Sequence, residues 1–127
     1  MAHTPTVPII LIVDDDPAIR KMLVEMLSLE GYATETATNG REALDMLAAG
    51  GPRVVLLDLL MPVLDGREVM HELNARPVER ANLKVILVSA LPNLENAQDL
   101  NADGMLAKPF QVNDLMQVLE PMMAAVS

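Results

Sequence analysis

The sequence predicts an α/β fold in which a five-stranded parallel sheet is doubly wound, with helices on both faces. Two observations carry this prediction. Short apolar runs alternate along the whole chain with segments whose apolar residues recur at helical spacing, a pattern typical of repeated strand–helix units. Three of the runs are unbroken, as expected for strands buried on both faces. We therefore expect a (βα)5 arrangement with right-handed crossovers.

The predicted elements follow from these runs and from helix-capping signals. The strands are predicted at Ile9–Val13, Tyr32–Thr36, Val54–Leu57, Val85–Val88 and Met105–Ala107. Asp16 followed by Pro17 indicates an N-cap with proline in the first helical turn. Asn39 and Asp65 each precede a glutamate by three residues, which is the capping-box spacing. Glycines lie where helices should end, at Gly31, Gly50 and Gly51.

Length, charge and composition exclude several classes of function. The 127 residues suit one domain, with its core at about residues 8–122. A net charge of −9 leaves no basic face for direct binding of nucleic acid or anionic membranes. Cysteine is absent, and His3 and His71 lack ligand-like spacing, which argues against disulfides and against zinc sites. The apolar run Val7–Val13 is too short for a membrane span or signal peptide, so we expect a cytoplasmic protein.

Polar side chains follow four of the five predicted strands. They are Asp14, Asp15 and Asp16 after the first strand, Asp58 after the third, Ser89 after the fourth and Lys108 after the fifth. In the strand order 2-1-3-4-5 these four strand ends share one edge of the sheet, where open α/β sheets bind ligands. Crowded carboxylates repel each other unless a cation lies among them, and hard oxygen ligands suit Mg2+. A carboxylate there can attack phosphorus, while an ammonium and a hydroxyl bind the phosphoryl oxygens.

Each of these residues also has a plainer explanation when it is taken alone. An acidic triplet is often a solvated turn, and Asp16 is expected to be the helix cap. Serine and lysine, the residues at positions 89 and 108, are common in turns and loops. An unpaired charge at the end of a buried strand is costly, however, which favours a functional role for Asp58. All of these polar residues directly follow core strands, and this joint pattern favours a shared site.

Four stretches of the sequence resemble the receiver domains of response regulators in two-component signalling. They are Ile10-Leu-Ile-Val-Asp-Asp-Asp16, Val54-Val-Leu-Leu-Asp-Leu-Leu-Met-Pro-Val-Leu-Asp-Gly66, Val88-Ser-Ala90 and Lys108-Pro-Phe110. The resemblance covers about Ile9 to Leu119 and implies the flavodoxin-like fold. It also implies a signalling domain that catalyses its own phosphorylation and dephosphorylation and is otherwise not an enzyme.

The resemblance implies a Mg2+ site beside a phospho-acceptor. Asp58 accepts the phosphoryl group and also binds the metal. Asp15 is a direct Mg2+ ligand, and Asp14 assists through water. The backbone carbonyl of Leu60, two positions after the acceptor, completes the protein ligands.

The remaining implied roles concern the phosphoryl group and its source. Ser89 bonds the phosphoryl group, and Lys108 pairs with it or with Asp58. The peptide bond between Lys108 and Pro109 is expected to be cis. The donor would be a phosphohistidine on a sensor histidine kinase or phosphotransfer protein, and the output would be an unidentified partner protein, with a homodimer left open.

The chain departs from the resemblance in the stretch between Ser89 and Lys108. Receivers often carry Tyr or Phe where this chain has Met105, and they usually have a longer connection. We predict a turn at Leu91-Pro92-Asn93 and a shortened, mobile helix four over Leu94–Leu100. Its apolar positions are Leu94, Ala97 and Leu100. The signal would then be transmitted by ordering of residues 90–100 when the hydroxyl is drawn to the phosphate.

The sequence leaves rival functions open. A pseudo-receiver would bind partners without phosphate, although the retained acidic and basic residues favour phosphorylation. A phosphohydrolase of the haloacid-dehalogenase kind would use an Asp-x-Asp motif after the first strand, but Pro17 follows and no cap domain fits. A flavodoxin would need a glycine-rich phosphate loop where three aspartates stand. We expect a stand-alone receiver, and a receiver cut from a larger response regulator is the alternative.

Overall fold

Five parallel strands form one sheet in the order β2-β1-β3-β4-β5 in a computed structural model that describes residues 8–51 and 53–126. The strands are β1 Ile9–Val13, β2 Thr34–Ala37, β3 Arg53–Asp58, β4 Leu83–Ala90 and β5 Gly104–Lys108. Each neighbouring pair is parallel. The predicted fold class and strand order are confirmed. His3 and Val7, which entered the sequence argument, lie outside the described residues.

Six helices and a short 3-10 turn connect and cover the strands in the described part of the chain. The helices are α1 Pro17–Leu29, α2 Gly40–Leu47, α3 Gly66–Asn74, α4 Pro77–Ala81, α5 Leu91–Glu95 and α6 Val112–Val126, and the 3-10 turn is Gln98–Leu100. Within residues 8–51 and 53–126, no helix is both long enough and apolar enough to cross a bilayer.

Two apolar layers, one on each face of the sheet, form the core. On one face α2, α3 and α5 pack against alternate strand residues such as Leu11 and Val55. On the other face α1 and α6 cover their neighbours in sequence, such as Ile12 and Leu56. Because both faces are buried, strand residues of either parity must be apolar. This explains the unbroken runs from which the strands were predicted.

The helix starts largely follow the predicted capping signals. The carboxylate of Asp16 accepts a hydrogen bond from the backbone N–H of Ala18 at 2.9 Å. Asp65 forms the reciprocal capping box predicted from the sequence. At α2 the box is incomplete, because Asn39 caps the helix while the Glu42 carboxylate accepts from the backbone and hydroxyl of Thr38 instead.

The bounds of β2 to β5 differ from the predicted ones, and one helix was not predicted. The second strand is Thr34–Ala37 rather than Tyr32–Thr36, because its register follows β1. Helix α4 was not predicted, since a five-residue segment shows too little periodicity to be distinguished from a loop. The chain therefore adds a helix to the expected five strand–helix repeats.

The connection between β4 and β5 contains the predicted short helix, but at a different place. Helix α5 is Leu91–Glu95, so the predicted turn at Leu91-Pro92-Asn93 is wrong: Pro92 lies in the first helical turn, where an N–H is not needed. A 3-10 turn at Gln98–Leu100 forms the last three residues of the predicted helix. Of its three apolar positions, Leu94 and Ala97 are buried and Leu100 is partly buried. The predicted mobility of this segment stays a prediction.

Candidate functional site

The carboxyl ends of β1, β3 and β5 bring four predicted residues together. Asp14 directly follows β1, Asp58 ends β3 and Lys108 ends β5. The Lys108 ammonium nitrogen lies 3.3 Å from a carboxylate oxygen of Asp14 and 3.3 Å from one of Asp58. Asp15 completes the group, since its carboxylate oxygen and those of the other two aspartates lie within 4.8 Å of one another. We call these four residues the acid site.

Burial distinguishes the members of the acid site. Asp14 and Asp58 are buried, whereas Asp15 is exposed to solvent. The Lys108 side chain is partly exposed, with 27% of its surface accessible. The acid site therefore has three carboxylates and one ammonium, and two of the three carboxylates are largely withdrawn from water. Such an excess of negative charge favours binding of a cation.

The ionisation of Asp58 and Lys108 reflects this crowding. Burial raises the pKa of the Asp58 carboxyl above its ordinary value, and the charge of Asp14 adds to that rise. A hydrogen bond from Leu60 and the charge of Lys108 oppose it. For Lys108, burial lowers the pKa, but the attraction of Asp58 and Asp14 outweighs it and the pKa is raised. The lysine is therefore held as an ammonium between the two carboxylates.

Backbone groups fix the buried carboxylates in place. One oxygen of Asp14 accepts from the backbone N–H of Asp16 at 2.9 Å, while its other oxygen faces Lys108. One oxygen of Asp58 accepts from the backbone N–H of Leu60 at 3.1 Å. Leu60 itself is 64% exposed. Each carboxylate is thus oriented through one oxygen and leaves the other toward the acid site.

A close contact at Gly66 sets the path of the chain behind Asp58. A Cβ atom at Gly66 would lie 2.6 Å from the Asp58 carbonyl oxygen and 2.7 Å from Cα of Leu59. Neither backbone atom can give way easily, so the first turn of α3 approaches the end of β3 this closely because residue 66 has no side chain. The glycine therefore positions the loop that carries Leu60.

Arg20 is a supporting residue that the sequence argument missed. Its guanidinium donates to the backbone carbonyl of Asp14 at 2.7 Å from the first turns of α1. A signal was available in the sequence, because residue 20 lies on the helix that directly follows the acidic triplet. The contact ties α1 to the end of β1.

Ser89 lies at the same edge of the sheet but makes a different contact. Val88 is the register partner of Asp58, so Ser89 is one residue further toward the carboxyl end of β4. Its side chain is buried, and its hydroxyl oxygen accepts a hydrogen bond from the Asn93 side chain at 3.2 Å. From the sequence, Asn93 was predicted to lie in a turn, without a role in the site. The peptide bond Lys108–Pro109 is cis, as expected.

The chain has clear relatives among known response regulators. The family model for the response regulator receiver domain matches residues 10–120. The chain is 40% identical over 107 residues to the response regulator MprA of Mycolicibacterium vanbaalenii, a match covering 84% of this chain and 46% of that protein. It is 36% identical over 118 residues to MprA of Mycobacterium sp. strain KMS, covering 93% of this chain and 51% of that protein. The chain spans about half the length of these curated relatives.

Solved structures agree with the sequence relatives. A signal receiver domain of a histidine kinase from Syntrophus aciditrophicus has a TM-score of 0.86 at 31% identity, with 94% of this chain and 92% of that chain covered. The receiver domain of the sensor histidine kinase PA1611 from Pseudomonas aeruginosa, whose active-site cleft coordinates a magnesium ion, has a TM-score of 0.83 at 27% identity, with 92% and 98% covered. Fold, acid site and relatives agree: the chain belongs to the response regulator receiver domains of two-component signalling.

Proposed function

We propose that this receiver accepts a phosphoryl group on Asp58. A carboxylate oxygen of Asp58 forms a bond to phosphorus while the bond from phosphorus to the donor nitrogen of a phosphohistidine breaks, and the departing imidazole takes a proton from solvent. The observation that carries the proposal is the position of Lys108, which lies 3.3 Å from the Asp58 carboxylate and would neutralise charge on the transferred group. Ser89 would donate its hydroxyl proton to a phosphoryl oxygen.

The donor set of the acid site fits Mg2+. Carboxylate and carbonyl oxygens are the ligands this ion prefers, and the three carboxylates approach within reach of one ion. Asp15, Asp58 and the Leu60 carbonyl would hold it directly. Asp14 would act through water, the role that the resemblance to receiver domains implies for it. When bound, the ion supplies positive charge that offsets the charge of the phosphoryl group.

The partners follow from the chemistry of an aspartyl phosphate. A sensor histidine kinase or phosphotransfer protein would supply the phosphoryl group, and an output protein would respond to the phosphorylated form. The relatives are about twice as long as this chain, so the output region stays unassigned, as do the expected stand-alone state, single domain, homodimer and cytoplasmic location. Each of these stays a prediction.

Labelling with a small acyl phosphate tests the proposal. We expect acetyl phosphate with Mg2+ to add one phosphoryl group, located at Asp58 by peptide mass spectrometry. Asp58→Asn should abolish the label and Lys108→Ala should weaken it strongly. Asp16→Asn is the matched control, because Asn retains the N-cap of α1 and residue 16 lies outside the acid site.

Two results would contradict the assignment. One is undiminished labelling of the Asp58→Asn protein at another residue. The other is a wild-type protein that folds and binds Mg2+ but takes no label, which would favour a pseudo-receiver that binds partners without phosphate.

A further inference from the structure

Asn93 contacts the one hydroxyl that the proposed function assigns to the phosphoryl group. Its side-chain amide nitrogen lies 3.2 Å from the Ser89 hydroxyl oxygen, across the junction between β4 and α5. The N-cap position of α5 is Ala90, which has no side chain able to cap the helix. The Asn93 amide is therefore the side chain that links the start of this helix back to the strand.

The direction of this hydrogen bond determines what the hydroxyl can still do. An amide nitrogen donates and does not accept, so Ser89 Oγ must act as acceptor toward Asn93. The hydroxyl has one proton of its own, and that proton is not used in the contact. With one lone pair held by Asn93, rotation about the Cβ–Oγ bond is restricted and the proton is kept available for another acceptor.

The position of Asn93 is held by contacts that do not involve Ser89. Its neighbour Leu94 is buried in the core, and Ala97 is fully buried. Arg67, at the start of α3, donates to the backbone carbonyl of Asn96 and pairs with Asp99 at 3.7 Å. Helix α5 is thus fixed to the core and to α3.

Asn93 also lies beside the acceptor loop. It lines a cavity of about 210 Å³ together with Leu59, Leu60, Asp65, Arg67 and Asn96. Leu60 is the residue whose N–H orients Asp58. Asn93 therefore lies between α5 and the loop after β3, on the cavity that Leu60 also lines.

From this geometry we propose that Asn93 is a positioning residue for phosphorylation: it holds the Ser89 hydroxyl as an acceptor and thereby presents the Ser89 proton to the phosphoryl group. This inference rests on the proposed function of Asp58. Asn93 acts through Ser89, and removing its amide should leave the hydroxyl free to rotate and to bond elsewhere.

A double-mutant cycle on the full chain tests the inference. The rate of Asp58 labelling by acetyl phosphate with Mg2+ is measured for wild type, Asn93→Ala, Ser89→Ala and the double variant. We expect Asn93→Ala to lower the rate about fivefold, the factor that corresponds to one ordinary hydrogen bond. In the Ser89→Ala background the same substitution should have no further effect. Asn96→Ala, which lines the same cavity, is the matched control and should label at the wild-type rate.

Asn93→Asp tests the direction of the hydrogen bond. A carboxylate accepts and does not donate, so it would accept a hydrogen bond from the Ser89 hydroxyl. The hydroxyl would then be unavailable to the phosphoryl group, and labelling should be slower than in Asn93→Ala. Part of that loss should disappear when Ser89 is replaced. Labelling of Asn93→Asp at the wild-type rate would show that the amide faces Ser89 with its oxygen, which would overturn the inference.

The remaining outcomes separate this inference from its premise. Equal losses from Asn93→Ala with and without Ser89 would mean that Asn93 only supports the fold of α5, and unchanged labelling of Asn93→Ala would also overturn the inference. Failure of wild type to label at Asp58 would instead refute the proposed function. Melting temperatures of all variants, measured alongside, confirm that each rate belongs to a folded protein.

Discussion

Two charge clusters occupy opposite edges of the sheet, and their stoichiometry is reversed. At the carboxyl edge, the acid site has three carboxylates and one ammonium, that of Lys108, which pairs with Asp14 and Asp58. At the amino edge of β4 and β5, the single carboxylate of Asp103 is shared by Arg80 at 2.9 Å and Lys84 at 3.7 Å. We call the second group the Asp103 cluster.

The side chains of the Asp103 cluster form several hydrogen bonds to backbone groups. The Asp103 oxygen that meets Arg80 also accepts from the N–H of Val85 at 2.8 Å. The Arg80 guanidinium donates in addition to the carbonyls of Leu83 at 3.0 Å and Asn101 at 2.7 Å. These bonds join α4, the start of β4 and the turn before β5. The Asp103 cluster therefore links the two ends of the β4–β5 connection, which contains one short α-helix, α5.

The difference between the clusters indicates which one is a ligand site. In the Asp103 cluster the negative charge is fully matched by cations and N–H donors, so nothing further is needed to stabilise it. In the acid site the negative charge exceeds the positive charge, and the ionised form of Asp58 is disfavoured by burial. An uncompensated cluster of this kind is stable when a cation binds and costly without one.

Backbone strain also differs between the two regions. Of the described residues, two that are not glycine have a positive φ: Val63 at 70° and Asn101 at 61°. Val63 lies in the loop between Asp58 and α3, where the N–H of Leu64 donates to the carbonyl of Pro62 across a three-residue turn. A β-branched residue is unfavourable in this conformation, whereas asparagine tolerates it. The strained residue is the one in the loop that follows Asp58.

The largest predicted effect is destabilisation of the Asp103 cluster. Asp103→Asn removes the charge that Arg80 and Lys84 share and weakens the bonds that close the β4–β5 connection. We expect a loss of about 2 kcal/mol in the free energy of unfolding, the size of a charge-assisted hydrogen bond. Urea denaturation measures it. A change near zero would mean that the cluster is a surface pairing with no role in closing the fold.

Mg2+ should act on the acid site and spare the Asp103 cluster. At about ten times its dissociation constant, an ion that binds the folded state stabilises it by about 1.4 kcal/mol. The melting temperature of wild type and of Asp103→Asn should therefore rise with MgCl2 by the same amount. Asp15→Asn should reduce the rise. A melting temperature of wild type that is insensitive to millimolar Mg2+ would count against the shared site.

The same type of substitution, Asp to Asn, should stabilise the fold when it is made at Asp58 in the acid site. Without metal, Asp58→Asn removes like-charge repulsion and the burial of an ion, and we expect a gain on the order of 1 kcal/mol at neutral pH. The sign follows from the pKa of Asp58, which burial raises above 3.8 in the folded protein. Above the raised pKa the ionised carboxyl costs stability, and the cost disappears as the pH falls through that pKa toward 3.8.

The pH dependence gives the Asp58→Asn prediction its control. Wild type and the variant should converge in stability at acidic pH, when Asp58 is protonated and neutral like the amide. Thermal unfolding of both proteins across this pH range measures the difference. An Asn variant that is less stable than wild type at neutral pH would show that the ion pair with Lys108 outweighs the repulsion.

The smallest predicted effect concerns strain. Val63→Gly relieves the positive φ of a β-branched residue but adds chain entropy to the unfolded state, so we expect a gain of roughly 0.5–1 kcal/mol. Asn101→Gly, at the relaxed position, should gain nothing. Denaturant midpoints of the two variants compare the regions directly. Equal responses at residues 63 and 101 would remove strain as a difference between the two regions.

Much of this fold was determined by the sequence alone. Both-face burial requires strands of unbroken apolar residues, so β1, β3 and β4 were visible as runs such as Ile9–Val13. The capping residues Asp16 and Asp65 marked helix starts because their bonds are local. Parallel strands carry their carboxyl ends to one edge, so Asp14, Asp58 and Lys108 could be assigned to one site without coordinates.

Tertiary structure decided what depends on partners distant in sequence. Helix α4 has almost no periodicity of its own and is fixed where Arg80 meets Asp103, a contact across 23 residues. The start of α5 at Leu91 depended on how the end of β4 delivers the chain, so the predicted turn at Pro92 was wrong. Asn93 is only four residues from Ser89, but their contact was missed because this segment was predicted as a turn and not as the start of α5. Capping patterns predict hydrogen bonds at helix starts, whereas the position of α4 is fixed by a contact that the sheet makes between remote segments.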